Sequence, residues 1–291
     1  MKKIILSLIL ILAFSIASSN TTYLEEIGSY EIRFCPSQNC SELFIYNIEN
    51  NYDVECAFYS LNHPKLENLL KSNAKTVILH NNSRRGLMHH KFCVLNDTHV
   101  ITGSANPTIN DFYNNQNNVF LIESEILVLN YRNELKRLQG EDFEFVNNFK
   151  RNGEVFSNYF CPDKICQKAI LEELKKAKEE ILFLTFTFTD KEIASILNEK
   201  NNEGVVIKGV LDNFQNKQYW VYPMLEFDVL INRVNLQHNK FFIVDDVLIT
   251  GSYNPTKAAF EINSENILII REKEIVSLFR NYFFEVYNAT S

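Results

Sequence analysis

A chain of 291 residues that is 46% hydrophobic is long enough for two half-domains of ordinary size and apolar enough for a sizeable core. Its net charge of -7 argues against the basic face with which a protein grips long nucleic acid non-specifically, although local charge can override the net. Six cysteines with no Cys-x-x-Cys spacing and no accompanying histidine cluster argue against a zinc site and fit an oxidising compartment.

In chain order, residues 1–19 run from Lys-Lys through an apolar stretch to Ser18 and Ser19, the layout of a secretory signal peptide. The stretch is short for a membrane span, so an exported, extracytoplasmic protein is expected, with an uncleaved N-terminal anchor as the alternative. FCPSQNC (34–40) and FCPDKIC (160–166) then open two halves, expected at 20–149 and 150–291. This echo suggests local pairs Cys35 with Cys40 and Cys161 with Cys166, leaving Cys56 and Cys93 either for each other or as buried thiols. Residues 53–60, 76–79, 181–187 and 205–211 read as strands, and 167–180, 126–139 and 274–287 as helices. Alternating strands and amphipathic helices predict an α/β fold, each half a mixed sheet flanked by helices. The second half is longer before its motif, mainly around 201–232, where Tyr219, Trp220 and Tyr222 form an aromatic group fit for the core or for a cleft rim.

The most informative feature is a repeat. HHKFCVLNDTHVITGSANPT (89–108) and HNKFFIVDDVLITGSYNPT (238–256) each read His-x-Lys, four mostly apolar residues, Asn or Asp, then Thr-Gly-Ser-x-Asn-Pro-Thr. A core has no need to repeat polar positions in a fixed order, so one site built from two halves is expected. Alternation along a strand puts His89 with Lys91, and His238 with Lys240, on one face, while His90 and Asn239 point the other way. A second apolar run (100–102 and 247–250) would fold back as a hairpin and bring Gly-Ser-x-Asn beside the His-x-Lys end. Each half then offers an imidazole, an ammonium, a hydroxyl and a carboxamide, a set suited to an anionic phosphate. Only Arg84, Arg85 and the two motif lysines add positive charge nearby.

These motifs resemble those of the phospholipase D superfamily, His-x-Lys-x4-Asp-x6-Gly-Ser-x-Asn present twice. The resemblance implies two halves packed about a pseudo-twofold axis and a phosphodiesterase that needs no metal or cofactor. One histidine would attack phosphorus to form a phosphohistidine, and the other would protonate the leaving oxygen and then activate water. The positions that match are His89, Lys91, Asn106, His238, Lys240, Asp245, Asn254 and Glu265 as catalytic groups, with Ser104, Ser252 and Asn117 as substrate-binding groups. A complete site needs no oligomer.

The first half departs from the pattern. Asn96 stands where Asp245 stands in the second, and in QNNVFLIE (116–123) Asn117 stands where SENILII (264–270) has Glu265, the acid that in the family orients the imidazole. The second half thus reads as complete, with Glu265 expected to orient His238 and raise its pKa as the general acid, and Asn117 to leave His89 neutral as the nucleophile. Lys91, Lys240, Asn106 and Asn254 would hold the non-bridging oxygens. Three functions compete: hydrolysis of a phospholipid headgroup ester, with contact to a membrane surface; an exported nuclease using the same residues; and a phosphate-binding protein with a decayed first half.

Overall fold

The computed structural model describes residues 23–82, 85–213 and 221–291, so the expected leader and the pair Tyr219 and Trp220 lie outside the described residues. The chain runs β1 (Glu25–Glu26), β2 (Tyr30–Cys35), α1 (Cys40–Glu49), β3 (Val54–Phe58), α2 (Pro64–Asn73), β4 (Ala74–Leu79), β5 (Lys91–Leu95), β6 (His99–Gly103), α3 (Ile109–Tyr113), β7 (Asn117–Glu123) and α4 (Glu125–Leu138). It continues through β8 (Asn148–Arg151), β9 (Glu154–Cys161), α5 (Ile165–Leu174), β10 (Glu180–Thr185), α6 (Lys191–Asn202), β11 (Val206–Asp212), β12 (Leu230–Asn232), β13 (Lys240–Val244), β14 (Val247–Gly251), α7 (Lys257–Glu261), β15 (Glu265–Ile270) and α8 (Lys273–Thr290).

Among the described residues two mixed sheets form. One has six strands in the order β2-β7-β6-β5-β3-β4; the other has nine, β1-β8-β9-β15-β14-β13-β10-β11-β12. The run β9-β15-β14-β13-β10-β11 repeats the first sheet strand for strand, and the strand senses repeat with it: β5 is antiparallel to β3 and β6, as β13 is to β10 and β14. The halves are therefore similar units, and β12 carries part of the extra length of the second. β1 lies at the start of the expected first half but pairs in parallel with β8, at the edge of the second sheet.

The motif strands are apolar at every interior position because both of their faces are covered. Phe92, Val94, Phe241 and Ile243 enter a core shared by both halves, which also holds Tyr131 of α4 and Phe279 and Phe283 of α8. Cys93 and Leu95 face outward to α1 and α2, and Phe242 and Val244 to α5 and α6. Each sheet is thus sandwiched, and α4 and α8 form the layer between them. Phe279 packs on Phe34 and Phe120 of the first sheet and on Phe241 of the second.

The helix expected over 167–180 ends at Leu174. The polar residues that follow would continue a helix, but the Asp245 carboxylate accepts hydrogen bonds from the backbone N–H groups of Lys178, Glu179 and Glu180, each at 2.9 Å, and turns the chain into β10. Disulfides Cys35–Cys40 and Cys161–Cys166 tie β2 to α1 and β9 to α5, and Cys56–Cys93 joins directly opposed residues of β3 and β5. Three disulfides fit an oxidising compartment. No helix among the described residues is long and apolar enough to cross a membrane.

Candidate active site

Both motifs form the expected hairpins, β5–β6 and β13–β14, so that Gly-Ser-x-Asn leaves the hairpin beside the start of the His-x-Lys strand. At Gly103 and Gly251 the backbone has φ of +146° and +147°, and a Cβ atom would lie 2.3 Å from the Asn118 carbonyl oxygen and 2.2 Å from that of Asn266. Only glycine allows this approach. It lets Ser104 and Ser252 donate to the side chains that open β7 and β15.

Those side chains then cross between halves. Backbone bridges join Met88 to Ser264 and Gln116 to Gln237, so each His-x-Lys segment runs beside the opposite half's orienting residue. The Nδ1 of His89 donates to the Glu265 carboxylate at 2.8 Å, and the Nδ1 of His238 donates to the Asn117 Oδ1 at 2.8 Å. The expected pairing is therefore corrected: Glu265 orients His89, not His238, and Asn117 orients His238, not His89. Asn117 is fixed as an acceptor, since its Nδ2 donates to the Asp111 carbonyl and its Oδ1 also accepts from Ser104 Oγ. Both imidazoles thus carry their proton on Nδ1 and keep an Nε2 lone pair.

Three further expectations change. Ser104 and Ser252 are fully buried and hold Asn117 and Glu265, at 2.9 and 2.7 Å, rather than a substrate. Asn117 is likewise fully buried behind His238. Asp245 sits at the far tip of the β13–β14 hairpin, a five-residue strand away from Lys240. There it anchors the 178–180 turn, away from the two His-x-Lys segments. Asn96 fills the same left-handed turn position in the first half, with φ of 50° against 49° for Asp245, and its side chain joins Asp53 and Asn51.

Lys91 and Lys240 are almost fully buried, and each donates to the backbone carbonyl of its own motif histidine. Burial lowers the Lys91 pKa to about 8 against the pull of Glu265 and Asp111, and it holds Lys240 well below the ordinary lysine value, with Lys91 adding repulsion. Burial also lowers His89 to about 4, partly opposed by Glu265; His238 is lowered by burial first and then by Lys240, against Asp111. Burial thus disfavours the charged form of both imidazoles.

Sequence reasoning missed the walls. Tyr59 follows β3 and packs edge-on to His89 with ring centroids 5.0 Å apart; Phe186 follows β10 and does the same to His238 at 4.9 Å. Each ring also lies near the lysine of its half, at 5.4 and 5.3 Å. Their equivalent places, each one residue past a strand, become visible only when the two halves are aligned on the sheets. Asp111 was missed as well. His90 and Asn239 turn away from the cleft as expected, to Glu134 of α4 and Tyr282 of α8.

A family model described as "Cardiolipin synthase, PLD-like domain" matches residues 47–139 and 170–287, which takes in both motifs. The chain belongs to the phospholipase D superfamily. It is 34% identical over 134 residues to a protein named phospholipase D from Rickettsia typhi, an alignment spanning 44% of this chain and 66% of that protein. It is 38% identical over 69 residues to a mitochondrial cardiolipin hydrolase of Xenopus laevis, covering 24% of this chain and 32% of the relative. The chain thus spans less than two thirds of these relatives' own length. A phosphatidylserine synthase structure from Haemophilus influenzae superposes with a TM-score of 0.68 over 88% of this chain and 86% of that one, at 12% identity, which shows the shared phospholipase D-like fold.

Proposed function

We propose that this protein is an extracytoplasmic phosphodiesterase that hydrolyses a phospholipid headgroup ester through a phosphohistidine on His89. The observation that carries the reading is the cross-half exchange: two imidazoles with their Nδ1 protons engaged by the opposite half, beside two buried lysines. Phospholipid is favoured over nucleic acid by the net charge of -7 and by the relatives named phospholipase D. Three disulfides support the extracytoplasmic placement.

The role of each histidine follows from its partner. When His89 Nε2 attacks phosphorus, its ring gains positive charge, and the Glu265 carboxylate at Nδ1 is placed to balance it. As the bond to the leaving oxygen breaks, His238 gives that oxygen a proton from Nε2. His238 then takes a proton from water, the hydroxide attacks phosphorus, and the bond to His89 breaks. Lys91 and Lys240 hold the non-bridging oxygens, joined by the Asn106 amide N–H that is not given to Asp111. His238 is protonated in the complex because the bound anion offsets the two lysines.

An assay comparing phosphatidyl lipid vesicles with single- and double-stranded DNA and RNA, in EDTA, tests this function. Headgroup release that survives the chelator is expected, because lysines supply the positive charge. Cleavage of nucleic acid alone would replace the substrate, and tight phosphate binding without turnover of any ester would replace the enzyme.

A further inference from the structure

The first half has lost the acid that Glu265 represents, yet the site is not short of a carboxylate. Asp111 is 4% exposed, in α3, and its Oδ2 lies 3.7 Å from His238 Nδ1. The equivalent position in α7, counted from the capping residues Thr108 and Thr256, is the buried Ala259. The two halves therefore make opposite choices at two positions: Asn117 with Asp111 in the first, Glu265 with Ala259 in the second. Asp111 is not held there by a surface ion pair. Its Oδ2 accepts from the Asn106 backbone N–H at 2.7 Å and Nδ2 at 2.8 Å, and its Oδ1 accepts from Asn115 Nδ2 at 2.7 Å.

We propose that Asp111 is the counter-ion of His238, supplying from α3 the negative charge that the other histidine receives from Glu265. Asn117 sets the imidazole orientation and Asp111 sets its charge, two tasks that Glu265 performs alone. Asp111 is a positioning residue, acting through His238. The groups that face His238 are Lys240 of β13, Lys91 of β5, His89 and Asp111. Lys240 in turn feels Glu265 of β15 and Asp212 of β11. Phe186 covers the ring with no charge. Of these, Asp111 is the carboxylate closest to the His238 ring and favours its protonated form; its own pKa is held down by His238 and by the hydrogen bonds from Asn115 and Asn106, against its burial.

The proposal rests on the phosphodiesterase reading only for its kinetic consequence, so the test has two arms. In the first, the His238 imidazole of the full chain is titrated by nitrogen NMR with inorganic phosphate bound, its signal assigned by His238→Gln. Asp111→Asn is expected to lower the His238 pKa by about one unit or more, and the double variant Asp111→Ala with Asn117→Glu, which installs the second-half arrangement, to restore it. In the second arm, Asp111→Asn is expected to move the basic limb of the kcat profile to lower pH and to slow an alkyl phosphodiester more than tenfold, while a p-nitrophenyl ester, whose leaving group needs no proton, slows far less. An unchanged His238 titration overturns the proposal, as does equal slowing of both esters, which would mean that Asp111 serves only to hold Asn106. If the titration moves as expected while wild-type protein hydrolyses neither ester, the counter-ion stands and the phosphodiesterase reading falls.

Discussion

At the residue scale, the chemistry is set by which half supplies each partner, and a linear sequence cannot show that. The motifs made His89, Lys91, His238 and Lys240 legible, since no packing need repeats those residues. The exchange of Glu265 to His89 was not legible, because it depends on how the halves are docked. Glu265→Gln keeps the hydrogen bond to His89 but removes the charge that balances its phosphorylated ring. It should lower kcat on the order of a hundredfold with KM little changed, as steady-state kinetics on a phosphatidyl substrate would show. Asn117→Asp should act on His238, raising its pKa, where the sequence pattern alone assigned the effect to His89. The lysines give a second test. Burial holds Lys91 at about 8, so Lys91 meets an anion as a cation below that value and as a neutral amine above it. Inorganic phosphate affinity measured by calorimetry should therefore fall as pH rises past about 8, with net proton uptake on binding near that pH.

At the element scale, the motif hairpins were readable from their apolar runs and polar exits, and they form as expected. The end of α5 was not, because residues 175–180 carry helix-compatible side chains and the signal that stops them, Asp245, lies on another element. Asp111 escaped for a related reason: its meaning lies in α3 only when α3 is laid over α7, where an alanine stands. The first repeat has an acid at that position of α3 and none at the start of β7, and the second repeat has the reverse. Asp245→Ala removes three hydrogen bonds from the tip of the second hairpin and touches nothing in the cleft. It should cost about 1–3 kcal/mol in chemical denaturation and leave kcat within a few-fold of the wild type. A loss of activity without a loss of stability would return Asp245 to the site.

At the scale of the whole molecule, the site exists because two similar sheets share the α4 and α8 layer and one core, which fixes the docking that crosses the orienting residues. Beneath the imidazoles the same crossing repeats: Asn118 Nδ2 donates to Asn239 at 2.8 Å, and His90 meets Asn266 at 3.4 Å. The duplicated architecture was readable from the motif and cysteine repeats; the placement of β1 at the edge of the second sheet was not, since two residues carry too little pattern. In the proposed reaction His89 is the nucleophile, backed from the other half by Glu265. Its most direct test is to quench the protein in turnover with a p-nitrophenyl phosphodiester and map the phosphorylated peptide by mass spectrometry in wild type, His238→Ala and His89→Ala. The adduct should sit on His89 in the first two, accumulate in His238→Ala, and vanish in His89→Ala. An adduct on His238 that persists in His89→Ala would contradict the account.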